Sequence, residues 1–500
     1  MQSVWLSLLW KEWREHRMKL AALSGVAFLT LFLICFTFRN NIIDVFAFMT
    51  TSLGCYVFMT TFFVAMNVAG GESSRKTMPF LQSLPVPMWQ PAAAKLLLAS
   101  LTLILPLLLV MAFVYLPFLL GAESSESVRN AIDWDQGRWP QPWGIDDWFT
   151  ARLVGSVLGI LSFLLWLTAA GVNRSDEIRA GAVGFLTVTA VWLCFAGLWY
   201  IAEKKELPTI ETFLKVAISA APGGPGYSVW TKSNTLACLL IALVGHAGAG
   251  AWFLGRFGQV KFKSNRGGAR DSVVQVDYTL GPPRHSQSSA IAWKQLRETG
   301  PLAAFALAAT LAFTAIVLLA DETKNVNFKR VFIQIGTGMS FFVVLVAGIG
   351  LYLDELKPGL NNFWRSRPND LRLWFGVKYV AGLLVLIAVL GVPLFMAGLF
   401  YWSEGHHDLD WNEFWNGAHV ATWVLTITYS IGMTAQCLTR QPLYAAALTV
   451  SILMIGAYLL AKFNDNLQLS TATNVTIMIV SLVVVIALAW QTVKHDWGWK

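Results

Sequence analysis

Charge is what this sequence has least of. Only 13% of its 500 residues are Asp, Glu, Lys or Arg, against roughly 25% in a typical soluble chain. With 56% hydrophobic residues and a mean hydropathy of +0.55, it could not cover a water-facing surface. A soluble enzyme and a disordered chain are both excluded. Cysteine is sparse too. All five cysteines (Cys35, Cys55, Cys194, Cys238, Cys437) fall inside apolar runs, with no C-x-x-C pair. They read as small buried hydrophobes, which excludes a disulfide scaffold and a thiolate metal site. Also missing are a G-x-x-x-x-G-K-[ST] phosphate loop and any soluble α/β stretch large enough for a nucleotide-binding domain. The chain carries no ATPase motor of its own.

What is present is a succession of apolar runs, each near the roughly 20 residues needed to cross a bilayer. Hydropathy predicts an all-α polytopic membrane protein of about twelve spans, the first at 19–38 and the last at 472–492. The fifth and sixth, at 180–202 and 233–254, are separated by the stretch 203–232. The charged N-terminal stretch has no small-residue cleavage site and its apolar run is long enough to span, so it reads as a retained anchor. With an even number of spans both termini share one side. That side holds most of the Lys and Arg, whereas the opposite side is net acidic, so both termini are expected in the cytoplasm. The pI of 9.2 then reflects topology and implies no nucleic acid. Residues 255–288 set Arg256, Lys261, Lys263, Arg266 and Arg270 among Gly, Ser and Pro. They predict a solvated tether, or else a landing site for anionic lipid, between halves at 1–254 and 289–500.

Those halves are related by an internal repeat. One constant offset pairs Trp10 with Trp293, Lys11 with Lys294, Arg14 with Arg297 and Glu15 with Glu298. It also pairs Glu72 with Glu355, Phe80 with Phe363, Ser83 with Ser366, Pro85 with Pro368 and Lys95 with Lys378. Tryptophans, charges and prolines do not align repeatedly at one offset by chance. Six spans per half is an even number, so the repeat is parallel. Each half opens on an aromatic and basic segment. In the first, Trp5, Leu8, Leu9 and Trp13 recur at helical spacing with Lys11, Glu12, Glu15 and Arg17 on the other arc. This predicts an interfacial amphipathic elbow helix ahead of each half. Between the second and third spans, F-x-x-S-x-P sits eight residues after Glu72 and ten before Lys95, and likewise between Glu355 and Lys378. Glu72 is placed to meet a basic neighbour at the membrane surface. Phe80, Leu81 and Leu84 share a helical face that Pro85 ends. An apolar knob there predicts either a docking partner or a corner packed on its own bundle, and docking is the reading carried forward.

These features together resemble the permease subunits of ABC-2 type transporters, which carry an elbow helix, six spans per half and a cytoplasmic E…T-x-x-x-L-x-x-x-P…K loop. The first half matches with Glu72, Thr77, Leu81, Pro85 and Lys95. In the second, Leu360 and Trp364 stand in place of the Thr and Leu, so the resemblance implies asymmetric docking. It further implies two separate cytoplasmic ABC ATPase subunits, holding ATP and Mg themselves, that engage Phe80–Pro85 and Phe363–Pro368. No cofactor is implied on this chain. An export function in the plasma (inner) membrane follows by the same analogy. The second and fifth spans of each half would line the path, nominating Thr51, Thr60, Thr61, Asn67, Gln334 and Ser340, whose other reading is interhelical hydrogen bonding.

Three rivals stand beside this reading. An ion-coupled carrier would need an ionisable group at mid-membrane, for which His246 is the candidate. It reads equally as a hydrogen-bonded helix contact. A membrane-embedded enzyme would draw on Asp133-Trp134-Asp135 or His406-His407-Asp408 in the external loops. Their many tryptophans look more like an interfacial belt. The third rival is a mechanical transducer built on the permease fold.

Overall fold

The computed structural model describes residues 2–37, 42–74, 77–119, 145–174, 177–205, 207–224, 235–259, 286–320, 340–352, 355, 370–403, 411–467 and 471–495. Among these residues there is no strand. The helices are α1 Gln2–Thr37, α2 Ile42–Ser74, α3 Met78–Ser83, α4 Trp89–Leu119, α5 Ile145–Gly171, α6 Glu177–Lys204 and α7 Pro208–Ala217. A 3-10 turn at Ile218–Ala220 follows, then α8 Thr235–Arg256 and α9 Gln287–Ala320. The remainder are α10 Ser340–Gly350, α11 Leu371–Ser403, α12 Trp411–Thr439, α13 Pro442–Leu467 and α14 Thr471–His495. Seven helices among the described residues are long and apolar enough to cross a membrane. The chain is therefore a helical, multi-pass membrane protein by the physics of its own backbone. In lipid, helices satisfy every main-chain group internally.

Two compact units form: Met1–Gly258 with Val450–Gln468, and Gln259–Thr449 with Leu469–Lys500. In the first, α1 runs along α4, while α2, α5, α6 and α8 pack together. Phe58, Phe62 and Phe185 meet edge-to-face there, with ring centroids 5.8 and 6.3 Å from Phe185. In the second, α9 runs along α11, and α12 packs against α14. Tyr352 stacks on Phe375 at 5.6 Å, and Gly348 lets α10 approach the Tyr429 backbone where no side chain would fit.

The expected elbow helices are not separate elements. The segment holding Trp10, Lys11, Arg14 and Glu15 forms the opening turns of α1, which continues unbroken to Thr37. That holding Trp293, Lys294, Arg297 and Glu298 opens α9, which continues through Pro301 to Ala320. The reason lies in the buried face. Leu8, Glu12, His16, Lys19 and Leu23 form one continuous buried stripe, so a turn between elbow and span would break a packed seam. Trp10 and Trp13 are exposed on the other side. Of the polar groups on this segment, Glu12, His16 and Lys19 point into the protein, while Arg14 and Arg17 stay exposed.

Candidate functional site

The polar stripe of α1 ends in a cluster of charges. Glu12 on α1, Glu72 at the end of α2 and Lys95 near the start of α4 are all buried. Lys95 Nζ lies 2.7 Å from Glu72 Oε1 and 3.1 Å from Glu12 Oε2. Lys11, half-exposed at the rim, reaches Glu72 at 3.3 Å and Glu12 at 3.4 Å. Two acids thus share two ammonium groups, the arrangement that makes burial of charge tolerable. Burial works against the ionised Glu72 carboxyl, but Lys95, the Thr77 hydroxyl and Lys11 outweigh it. They hold the group at about 2, below its ordinary 4.5.

This cluster is wired to the following loop. The Thr77 backbone N–H donates to the Glu72 carbonyl at 3.0 Å, and the Thr77 hydroxyl donates to the Glu72 carboxylate. Thr77 is the residue preceding α3, whose first turn accepts Pro79 because no N–H is needed there. Hence the ion cluster fixes where α3 starts. On α3, Met78 and Leu81 turn inward while Phe80 is 62% exposed. Ser83 and Pro85 are exposed and Leu84 is half-buried. Leu81 has no exposure at all, which corrects its expected place on an outward knob. Six residues cannot present Phe80 and Leu81 on the same side, because adjacent positions on a helix diverge by about 100°. The far end is tied as well. Gln82 Nε2 donates to the Gly258 carbonyl at 2.6 Å, and the Gly258 N–H donates to Asn173 Oδ1 at 3.2 Å.

The second unit repeats the cluster at the same sequence offset. Glu355 Oε1 lies 2.6 Å from Lys378 and 2.8 Å from Lys294, the counterparts of Lys95 and Lys11. Lys378 also donates to the Leu351 carbonyl at 2.6 Å and sits over the rings of Tyr352 and Trp374. Glu298 completes the set, 3.6 Å from Lys294 and 3.9 Å from Lys378. Burial opposes ionisation of Glu355, yet Lys378 and Lys294 hold it below its ordinary value. Phe363, Trp364, Ser366 and Pro368 lie outside the described residues, as do Gln334, the two external acidic loops and the tether from residue 260 to 285.

The described path candidates are each held within the polar or apolar interior of their own unit. Thr60 donates back to the Tyr56 carbonyl at 2.5 Å, and the Thr61 hydroxyl is buried without a partner among the described residues. Ser340 is buried at the start of α10; nothing is described of the Thr51 side chain. Asn67 alone joins the polar interior, accepting from Lys19 at 2.7 Å and donating to Glu177 at 3.4 Å. His16 adds a contact to Thr102 at 3.0 Å. Sequence reasoning missed Glu12, His16, Lys19 and Glu177 as interior groups. The available signal was the spacing 12, 16, 19 in register with Leu8 and Leu23. His246 is a helix contact: Nδ1 accepts from Trp166 Nε1 at 3.1 Å, so Nε2 donates to the Ser219 carbonyl at 3.2 Å. Among the described residues no group of acids, histidines and cysteines is arranged to hold a metal ion. No family model, curated protein or solved structure matches this chain.

Proposed function

We propose that this chain is the membrane-spanning permease of an ATP-driven transporter of ABC-2 type, an exporter with twelve spans in two tandem halves and both termini in the cytoplasm of the plasma (inner) membrane. Two separate ATPase subunits drive it, one docking on α3 and the other on the corresponding loop at Phe363–Pro368. The observation that carries this reading is Phe80, a large apolar side chain 62% exposed on a helix whose base is fixed by buried ion pairs. A mobile apolar loop has no such foundation. A rigidly mounted aromatic is what a partner needs in order to push on the bundle. The recurrence of Lys, Glu and Lys at Lys294, Glu355 and Lys378 supports a second mounting of the same kind.

The test is affinity capture of the detergent-solubilised chain from its own membranes. A soluble partner bearing a phosphate-loop motif and hydrolysing ATP is expected, and Phe80→Asp should release it. Capture of no ATPase in mild detergent, with the chain folded, would end the proposal. Leu81 is unsuitable for this test because changing it attacks the core.

A second reading has one observation in its favour. Lys19, Asn67 and Glu177 connect α1, α2 and α6 by hydrogen bonds, which joins a lysine and a carboxylate in one polar chain at the end of the bundle, where a coupling ion would enter. Transport that follows an imposed proton or sodium gradient without ATP, and stops in Glu177→Gln, would select it.

A further inference from the structure

The opening turns of α1 have a second face, turned away from the ion cluster. Leu8, Glu12, His16, Lys19 and Leu23 make the buried stripe. At about 100° per residue, Leu6, Trp10, Trp13, Arg14 and Arg17 fall together on the opposite arc, and each is exposed. In α9 the same arc carries Trp293, Leu296 and Arg297, exposed as well. Core packing accounts for the recurrence of Glu72 and Lys95 as Glu355 and Lys378. It does not account for Trp10 and Arg14 recurring as Trp293 and Arg297, because none of these four is in a core. Trp10 is 62% exposed and Trp293 67%. Exposed residues kept in both copies serve something outside the chain.

The charge on this arc is uncompensated. Lys11 is engaged by Glu72 and Glu12, Glu12 by Lys95, and Glu15 acts on Lys95 in its turn. Neither Arg14 nor Arg17 has an ion pair or a ring contact among the described residues. Arg256 shows the alternative: its guanidinium lies 4.6 Å from the centre of the Trp252 ring one turn back. Arg14 follows Trp10, and Arg17 follows Trp13, at that same spacing without the stacking. Residues three apart on a helix are neighbours, with Cβ atoms about 5–6 Å apart. Two free guanidinium forks therefore sit side by side between two indoles.

Depth fits this arc to a phosphate. The apolar run of the first span begins at Leu20. Counting back at 1.5 Å per residue, Arg17 and Arg14 lie about 5 and about 9 Å outside it. The headgroup layer on each side of a bilayer is roughly 5–8 Å deep, so both side chains reach the level of lipid phosphates. Guanidinium binds phosphate through two parallel N–H groups, and tryptophan is favoured at that same level.

We infer that Arg14 and Arg17, flanked by Trp10 and Trp13, form a binding site for the headgroup of an anionic phospholipid in the leaflet on the N-terminal side. Charge selects the lipid. Two unpaired guanidinium groups favour a headgroup of net negative charge over a zwitterion, whose own cation already balances its phosphate. The second unit keeps half of the site, Trp293 and Arg297, with Leu296 and Gly300 in the other two places. It binds the same headgroup more weakly. The site needs a membrane but no particular transport mechanism, so it does not rest on the permease reading.

The test uses the full chain in a neutral detergent, titrated with phosphatidylglycerol or with phosphatidylcholine. Bound lipid is counted by native mass spectrometry, and the thermal midpoint is followed in parallel. Phosphatidylglycerol should be retained and should raise the midpoint, whereas phosphatidylcholine should do neither. Arg14→Gln/Arg17→Gln should weaken phosphatidylglycerol binding about 25-fold, roughly fivefold for each arginine. Its midpoint without lipid should match wild type, because neither side chain is packed. Arg297→Gln removes only the weaker site, so one tightly held lipid should remain. Equal affinity for the two lipids, or unchanged binding in the glutamine double variant, would overturn the site. So would wild-type affinity in Arg14→Lys/Arg17→Lys, which keeps the charge and loses the forks, since a diffuse field would then suffice. A midpoint rise reproduced by inorganic phosphate alone would overturn the assignment to lipid. Failure of the ATPase capture would touch none of these outcomes.

Discussion

The two ion clusters share a frame and differ in their fourth member. In the first unit Lys95 is neutralised by Glu72 and by Glu12, which is 2% exposed. In the second, Gln295 occupies the place of Glu12. The further acid is Glu298, one turn along the helix and 46% exposed. Lys378, at 1% exposure, makes up the difference with the Leu351 carbonyl and two aromatic faces. The constant part is therefore Lys, Glu and Lys, with both lysines on helices in each unit. Whatever balances the second lysine is negotiable: a buried acid in one unit, a carbonyl dipole and ring quadrupoles in the other.

That difference predicts unequal damage. Lys95→Met leaves Glu12 and Glu72 buried with only the rim lysine to serve them, and should cost about 3–5 kcal/mol. Lys378→Met strands one buried acid that keeps Lys294 at 2.8 Å, and should cost roughly 2 kcal/mol, the scale of a lost charged hydrogen bond. Thermal unfolding of both variants in the same detergent measures the gap. Equal losses would mean that the fourth member carries no weight. Leu81→Ala belongs with the large effects, since emptying a fully buried leucine site costs about 2–5 kcal/mol.

Sharpening the contrast further, Glu12→Gln makes the first cluster resemble the second without its aromatic compensation. A loss of roughly 1–2 kcal/mol is expected, between the two lysine variants and the wild type. A variant as damaged as Lys95→Met would show that Glu12, rather than Glu72, is the anchor.

Acid separates the contributions in another way. Glu72 is held at about 2 in the folded chain against 4.5 when free. Its ionised form therefore stabilises the fold fully above pH 4.5, and that contribution drains away as pH falls toward 2. Glu355 is shifted in the same direction. In Glu72→Gln the thermal midpoint should fall less steeply below pH 4.5 than in wild type. Identical slopes would place the titrating group elsewhere.

Some of this was open to inspection in the sequence. Glu72 and Lys95 stand out because a constant offset repeats them, and membrane burial of a charge demands a partner. The inward course of Glu12, His16 and Lys19 was harder to see. Charged residues beside tryptophans suggest a headgroup surface, and only packing against α4 decides which arc faces in. The course of Pro208–Gly224 back along α6 was illegible for a different reason. Its position depends on Ser162, Trp192 and His246, each remote in sequence and individually ordinary. Proline and glycine at 222–224 look like any loop.

The smallest stability effect belongs to the residue with the largest proposed consequence. Phe80→Ala removes an exposed ring, so unfolding should change by no more than about 0.5 kcal/mol. Under the permease reading, ATPase capture should nonetheless drop, because the ring is exposed and adds nothing to the core. Phe363→Ala extends the comparison to the other half, where Leu360 and Trp364 replace the Thr77 and Leu81 that fasten and seat α3. The sequence offers no threonine in that place to bond Glu355, so under the permease reading Phe363 is expected to contribute less to holding its partner. Capture is therefore expected to fall more in Phe80→Ala than in Phe363→Ala, and to vanish when both are changed. Equal falls would show that the ion cluster alone sets the dock and that the Thr77 link adds nothing to it.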